Sequence, residues 1–204
     1  VCSSDLIHIG NARPMIVFDT LRRYLEYLGN KVLYVSNITD IDDKLIKKGQ
    51  ADGTTMQEVA RKFEAEYIKD SEGLNVKAPT VRPRATEHIG EIIKIVKDLV
   101  ESGHAYVAHN GDVYFRVKSD PGYGKLSHLN LDDLESGNRE LRSQMDDDLK
   151  EDPADFAVWK AAKPGEPSWN SPWGQGRPGW HIECSAMARK HLGKTIDLHA
   201  GGQD

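Results

Sequence analysis

His8-Ile9-Gly10-Asn11-Ala12-Arg13-Pro14 is the stretch on which the reading of the fold turns. Behind it Val17, Leu21, Tyr24, Leu25 and Leu28 recur at helical spacing as far as Gly29, with Pro14 tolerated in a first helical turn and Gly29 suited to a stop. Lys31-Val32-Leu33-Tyr34-Val35-Ser36 follows, a β-branched and aromatic run that reads as a buried strand. Helices alternating with short buried strands predict a parallel sheet, whose ligands sit beyond the carboxyl ends of its strands. A turn that hands a strand to a helix also presents unbonded N–H groups. His8 and the helix start can therefore face a phosphate together, while Gly10 lets an adenine ring approach the backbone. Taken as four residues alone, His8 to Asn11 read more readily as a turn with an incidental His and Gly.

Downstream, Thr55 and Glu58 form a capping box ahead of the stripe Met56, Val59, Ala60, Phe63 and Tyr67. Ile89, Ile92, Ile93, Val96, Leu99 and Val100 mark another helix, ending at Gly103. The segments 105–109 and 112–117 flank Asn110-Gly111, a pair suited to a type I′ turn, which predicts a β-hairpin. From Pro121 to Pro172 Gly, Pro, Asp and Ser dominate, apart from the run Asp155-Phe156-Ala157-Val158-Trp159, so an insertion is expected there. A helix near Trp180 to His191 and a strand over Thr195 to His199 are expected to close the chain. The predicted class is α/β, a parallel sheet with flanking helices interrupted by an insertion that carries a hairpin.

Composition sets outer limits. The 204 residues suffice for one core with an insertion, and 38% hydrophobic against 29% charged residues, without any apolar run of about 20, speak against a membrane protein. Lys and Arg number 27 against 32 Asp and Glu, a net charge of −5, which argues against a wholly basic nucleic-acid binder but leaves room for one RNA-facing surface. Cys2 and Cys184, at opposite ends and without a secretion signal, read as reduced thiols or metal ligands, and a cytoplasmic location follows as an expectation. The start, Val1-Cys2-Ser3-Ser4-Asp5-Leu6, lacks an initiator Met and reads as a truncation or a splice.

The string His8 to Pro14 resembles the first signature of class I aminoacyl-tRNA synthetases, in the variant with Asn at the fourth place. Tyr34-Val35-Ser36-Asn37-Ile38-Thr39-Asp40-Ile41-Asp42-Asp43-Lys44 and Arg177-Pro178-Gly179-Trp180-His181-Ile182-Glu183-Cys184-Ser185-Ala186-Met187 are similar to strings of the cysteinyl-tRNA synthetase family. Arg82-Pro83-Arg84-Ala85-Thr86 and Ser168-Trp169-Asn170-Ser171-Pro172-Trp173-Gly174 extend the resemblance to nearly the whole chain. It implies a Rossmann-like nucleotide-binding fold. Residues 1–104 would form the first half of the catalytic domain, 105–168 a connective insertion and 169–204 the start of the second half.

The resemblance also implies the chemistry. Cysteine and ATP, with Mg2+, give cysteinyl-adenylate, and a tRNA(Cys) hydroxyl then accepts the cysteinyl group. His8 and Asn11 are the implied catalytic residues. His8, Gly10, Asn11, Gly201, Gly202 and Asp204 would bind ATP, and Thr39 and Trp180 would hold cysteine. Cys184 and Cys2 would ligate one Zn2+ that takes the substrate's sulfur, although the spacing from Cys2 to His8 departs from the family. Zinc depresses a thiol's pKa, so cysteine binds as thiolate where serine does not. Thr39 also reads as a helix N-cap, Trp180 as a core aromatic and Cys184 as a small core residue. The family's remaining His and Glu ligands and its lysine-bearing loop fall beyond Asp204, so the chain is expected to be inactive alone and monomeric. Two rivals stay open: a related ligase joining activated cysteine to an amino sugar, and a non-catalytic nucleotide- and zinc-binding fragment.

Overall fold

The computed structural model describes residues 5–125, 149–179 and 181–201. Cys2, Trp180, Gly202 and Asp204 lie outside the described residues. The chain divides into two compact units, Val1–His88 with Cys184–Ile196, and Ile89–Glu183 with Asp197–Asp204.

In the first unit, α1 (Ile9–Tyr27) begins at His8, and Pro14 therefore stands in its second turn, where it removes the helical donor for the Gly10 carbonyl. The apolar stripe expected to face a core is largely outside: Val17 is 52% and Tyr24 58% exposed, while Asp19 and Arg22 are buried. Polar bonds fasten that inner face. Asp19 accepts from the Lys77 N–H (3.1 Å) and Arg23 (2.7 Å), and Arg22 donates to the Ala78 carbonyl (2.7 Å). Helix α2 (Asp43–Asp52) starts on the Asp42 side chain, which accepts from the Leu45 N–H at 2.6 Å, and ends on Gly53 in the left-handed region. The sequence analysis predicts no helix here, though Leu45, Ile46 and Gly49 sit on one buried face. It packs on α3 (Met56–Gly73), whose Thr55–Glu58 capping box is as expected.

Lys31 to Ser36 is extended, yet parallel pairing among the described residues is confined to the bridges Val35↔Val81 and Ile38↔Arg84. These zip two of the quoted strings together. Ser36 donates to Val81, Ile38 to Pro83 and Ala85 to Ile38 through backbone bonds of 2.9–3.2 Å. Arg84 forks onto Glu64 (2.8 and 2.9 Å) and also binds Glu87 (2.9 Å), partners that hold the guanidinium's pKa above its ordinary value.

The second unit contains α4 (Ile89–Glu101), which packs on β1 (Ala105–Val107) and ends in a turn with Gly103 at φ 80°. Strands β1, β2 (Val113–Phe115), β3 (Phe156–Ala161), β4 (Trp169–Ser171) and β5 (Gly174–Pro178) form one sheet in the order β1-β2-β3-β5-β4, antiparallel throughout. The hairpin is where the sequence placed it, but its turn is not type I′. Among the described non-glycine residues only Asn75 and His181 have positive φ, so Asn110 does not. The Ala108 N–H bonds to the Asp112 carbonyl (2.8 Å) and Gly111 takes φ 91°, a three-residue loop closed by one left-handed glycine.

Val113, Val117, Val158 and Trp159 make the sheet's core, tied by the buried Asp155 carboxylate. That carboxylate accepts from the Val117 N–H (2.9 Å) and the Tyr106 hydroxyl (2.9 Å). The strand expected over Thr195 to His199 is irregular, with Leu198 64% exposed and no paired strand among the described residues to satisfy its backbone. Helix α5 (Ile182–Leu192) realises the expected helix near Trp180 to His191.

Candidate functional site

Two clusters in the first unit gather predicted site residues. At the start of α1, the His8 Nδ1 accepts from the Gly10 N–H at 3.0 Å, and the Asn11 side-chain oxygen accepts from the His8 N–H at 3.2 Å. Each side chain caps the other's backbone, so His8, Gly10 and Asn11 form one exposed knot. Because Nδ1 is the acceptor, a neutral His8 carries its proton on Nε2 and points a donor away from the cap. Gly10 has a role that its sequence context did not disclose. A Cβ there would stand 2.8 Å from the His8 Cε1 and 3.0 Å from Nδ1, displacing the imidazole.

The second cluster joins residues far apart in sequence. The Asn37 amide lies 3.4 Å from the Cys184 sulfur and 3.5 Å from the Thr39 hydroxyl, which places the residues assigned separately to metal and to cysteine around one side chain. Thr39 stands in the segment before α2, where the N-cap is Asp42, which removes the N-cap reading of Thr39. Asn37 itself was quoted only as part of a string, and nothing local in the sequence marks it. The next residue, Ile38, is fully buried and Asp40 nearly so, with the Asp40 carboxylate accepting from the Thr86 N–H (3.0 Å) and hydroxyl (2.5 Å). The platform under Asn37 and Thr39 is thus pinned on both sides.

Cys184 is a half-buried cysteine on α5. Among the described residues no group of three or more His, Cys, Asp or Glu side chains could hold a metal ion. A cysteine is a residue type that zinc takes as a thiolate, and the described residues around Cys184 do not by themselves enclose an ion. Gly201 is exposed and belongs to the second unit. His181, with φ 67°, holds the left-handed backbone just before α5.

Arg22 is buried and Arg23 is spent on Asp19 and the Asn75 carbonyl (2.9 Å), so both serve the fold. No described helix is long and apolar enough to cross a membrane.

Comparison with known proteins bears on all of these residues at once. The family described as tRNA synthetases class I (C) catalytic domain matches residues 1–204. A protein named cysteine--tRNA ligase from Caldicellulosiruptor saccharolyticus is 58% identical over 200 residues, which is 98% of this chain and 42% of that protein. Proteins of the same name from Symbiobacterium thermophilum and Limosilactobacillus reuteri are 57% and 58% identical over the same shares. The chain spans less than half the length of these relatives. With the match running from the first residue to the last, the chain belongs to the class I (C) tRNA synthetase catalytic-domain family.

Proposed function

We propose that this chain is the cysteine-activating part of a cytoplasmic cysteine–tRNA ligase. In the reaction, a carboxylate oxygen of L-cysteine attacks the α-phosphorus of ATP, bound with Mg2+, and pyrophosphate leaves. A terminal hydroxyl of tRNA(Cys) then attacks the carbonyl of cysteinyl-adenylate and AMP leaves. The protein supplies position and charge rather than a covalent intermediate.

The observation that supports this reading best is the Asn37 contact, which brings Thr39 and the Cys184 thiol to one place. There Thr39 would hold the amino acid's backbone, with Trp180 as a wall of the pocket. His8, as the Nε2–H tautomer, would donate to a phosphate oxygen, with the Gly10 N–H keeping the imidazole in that tautomer and the Asn11 side chain holding the His8 backbone. Gly201, Gly202 and Asp204 complete the proposal on the adenosine side. Zn2+ belongs to the same reading: Cys184, with Cys2, would hold it, and it supplies selection of a thiolate over a hydroxyl.

The parallel Rossmann-like architecture is part of the proposal. The two parallel bridges at Val35 and Ile38 support it, and the segmentation 1–104, 105–168 and 169–204 is proposed with it. Monomeric behaviour is proposed with it.

Cysteine-dependent ATP–pyrophosphate exchange tests the reading. The 204-residue chain would be assayed beside a chimera that continues it with the remaining part of the Caldicellulosiruptor relative. Exchange in the chimera, absent without cysteine, is the expected result. A folded chimera with no exchange would overturn it in favour of a binding fragment.

A further inference from the structure

Helix α5 carries Cys184 and His191 seven residues apart, two helical turns, so both leave the same face about 10 Å apart along the axis. Cys184 meets Asn37 near the start of the helix. At the other end the His191 Nε2 lies 2.9 Å from the Nε2 of His88, with ring centroids 5.1 Å apart and planes at 62°. His88 is 8% exposed, and its Nδ1 stands 2.7 Å from the Arg84 carbonyl oxygen. A carbonyl oxygen only accepts, so Nδ1 carries a proton. A neutral His88 then offers its Nε2 lone pair to an N–H of His191.

His88 closes the 3₁₀ turn Ala85–His88. In that turn Ala85 donates to the Ile38 carbonyl (3.2 Å), and Thr86 binds Asp40 through its N–H and hydroxyl. The segment from Asn37 to Asp40 therefore grips α5 at two points: directly at Cys184 through Asn37, and two turns later through Thr86, the 3₁₀ turn and His88. A helix held at one point can swing, whereas one held at two points two turns apart has its tilt fixed.

We infer that the His88–His191 hydrogen bond is a positioning contact for the Cys184 thiol, fixing how closely it stands to Asn37 and Thr39. The inference rests on the proposed role of that cluster as the amino-acid site. Neither histidine touches the reacting atoms in this account; both act through α5.

Alkylation by iodoacetamide, followed at Cys184 by peptide mass spectrometry in the full 204-residue chain, reads the thiol's setting without any need for turnover. His191→Leu is expected to raise the Cys184 rate about fivefold, the factor that corresponds to losing one hydrogen bond. His191→Gln, whose side-chain amide N–H can donate to the same His88 lone pair, is expected to stay close to the parent. In the unaltered chain, nitrogen NMR is expected to show a coupling across the Nε2···Nε2 bond. Equal rates in parent, Leu and Gln variants with unchanged circular dichroism would overturn the inference, as would a missing coupling. If the Leu variant does not fold, the coupling decides alone. Because neither readout involves pyrophosphate exchange, a failure of the functional reading and a failure of this contact are told apart.

Discussion

At the scale of single residues, the chemistry-bearing groups are held by bonds that predict what each substitution does. Gly10 is held to its identity by the imidazole beside it. Gly10→Ala in the chimera is expected to lower kcat/KM for ATP by about tenfold or more, through loss of a preorganised donor, with thermal stability nearly unchanged. Steady-state exchange kinetics beside a melting curve would check this. A large fall in melting temperature with unchanged kinetics would contradict it.

Gly179 is a structural counterpart. A Cβ there would overlap the backbone of Ala157 and Val158, to which the Gly179 N–H is bonded at 2.9 Å. Gly179→Ala is expected to destabilise the second unit by several kcal/mol, on the order of overpacking at a rigid wall. Denaturant unfolding monitored by tryptophan fluorescence reads this, since all four tryptophans lie between 159 and 180. Asp155→Ala is expected to cost about 3 kcal/mol by the same assay, because it strands the Val117 N–H and the Tyr106 hydroxyl.

At the scale of elements, caps and punctuation were legible because they are local. The Thr55–Glu58 box, Gly103 and the hairpin around Gly111 are each decided within a few residues and were placed from sequence, whereas the His8–Asn11 cap, equally local, was read only as a helix start. The capping box also carries a pH signature. Bonds from Thr54 first, then from Thr55, hold the Glu58 carboxyl at about 2 instead of 4.5. A group whose folded value is depressed stabilises above its unfolded value, and that contribution is lost as pH falls from about 4.5 to about 2. Glu58→Gln is therefore expected to flatten the decline of melting temperature over this window. A parallel decline in parent and variant would remove the assignment.

What stayed hidden at this scale was set by partners elsewhere. The helical period of α1 was read correctly, but its inner face follows Asp19 and Arg22, whose partners Lys77 and Ala78 lie more than 50 residues away. The strand expected over Thr195 to His199 has the right composition and no described neighbour to pair with. Propensity proposes a strand, but only pairing makes one.

At the scale of the whole molecule, the sequence strings identified the family, while the contact that organises the candidate site was not legible. Asn37 and Cys184 are 147 positions apart, and nothing in the spacing of either string says that they meet. The strings 34–44 and 82–86 were recognised by resemblance alone. Their backbones prove to be zipped together, which gives a structural reason for Pro83, Arg84 and Thr86 to accompany Ile38 and Asp40.

The exposed row Ile16, Val17, Leu21, Tyr24 and Leu28 belongs to the same scale, because no described element covers it. An apolar strip of this kind binds hydrophobic dyes and promotes association. The isolated chain is expected to enhance anilinonaphthalene sulfonate fluorescence, and Leu21→Lys with Val17→Lys to reduce that enhancement while leaving the helical circular dichroism intact. Undiminished dye binding would place the exposed apolar surface elsewhere.

The proposed amino-acid site is Thr39 and Cys184, joined through Asn37. Its most direct test is the ratio of kcat/KM for cysteine to that for ATP in the pyrophosphate exchange of the chimera, measured for the parent, Cys184→Ser and Asn37→Ala. The account predicts that Cys184→Ser abolishes cysteine-dependent exchange. Asn37→Ala should lower kcat/KM for cysteine about tenfold, with that for ATP little changed. Equal losses toward both substrates, or full cysteine-dependent activity in Cys184→Ser, would contradict it.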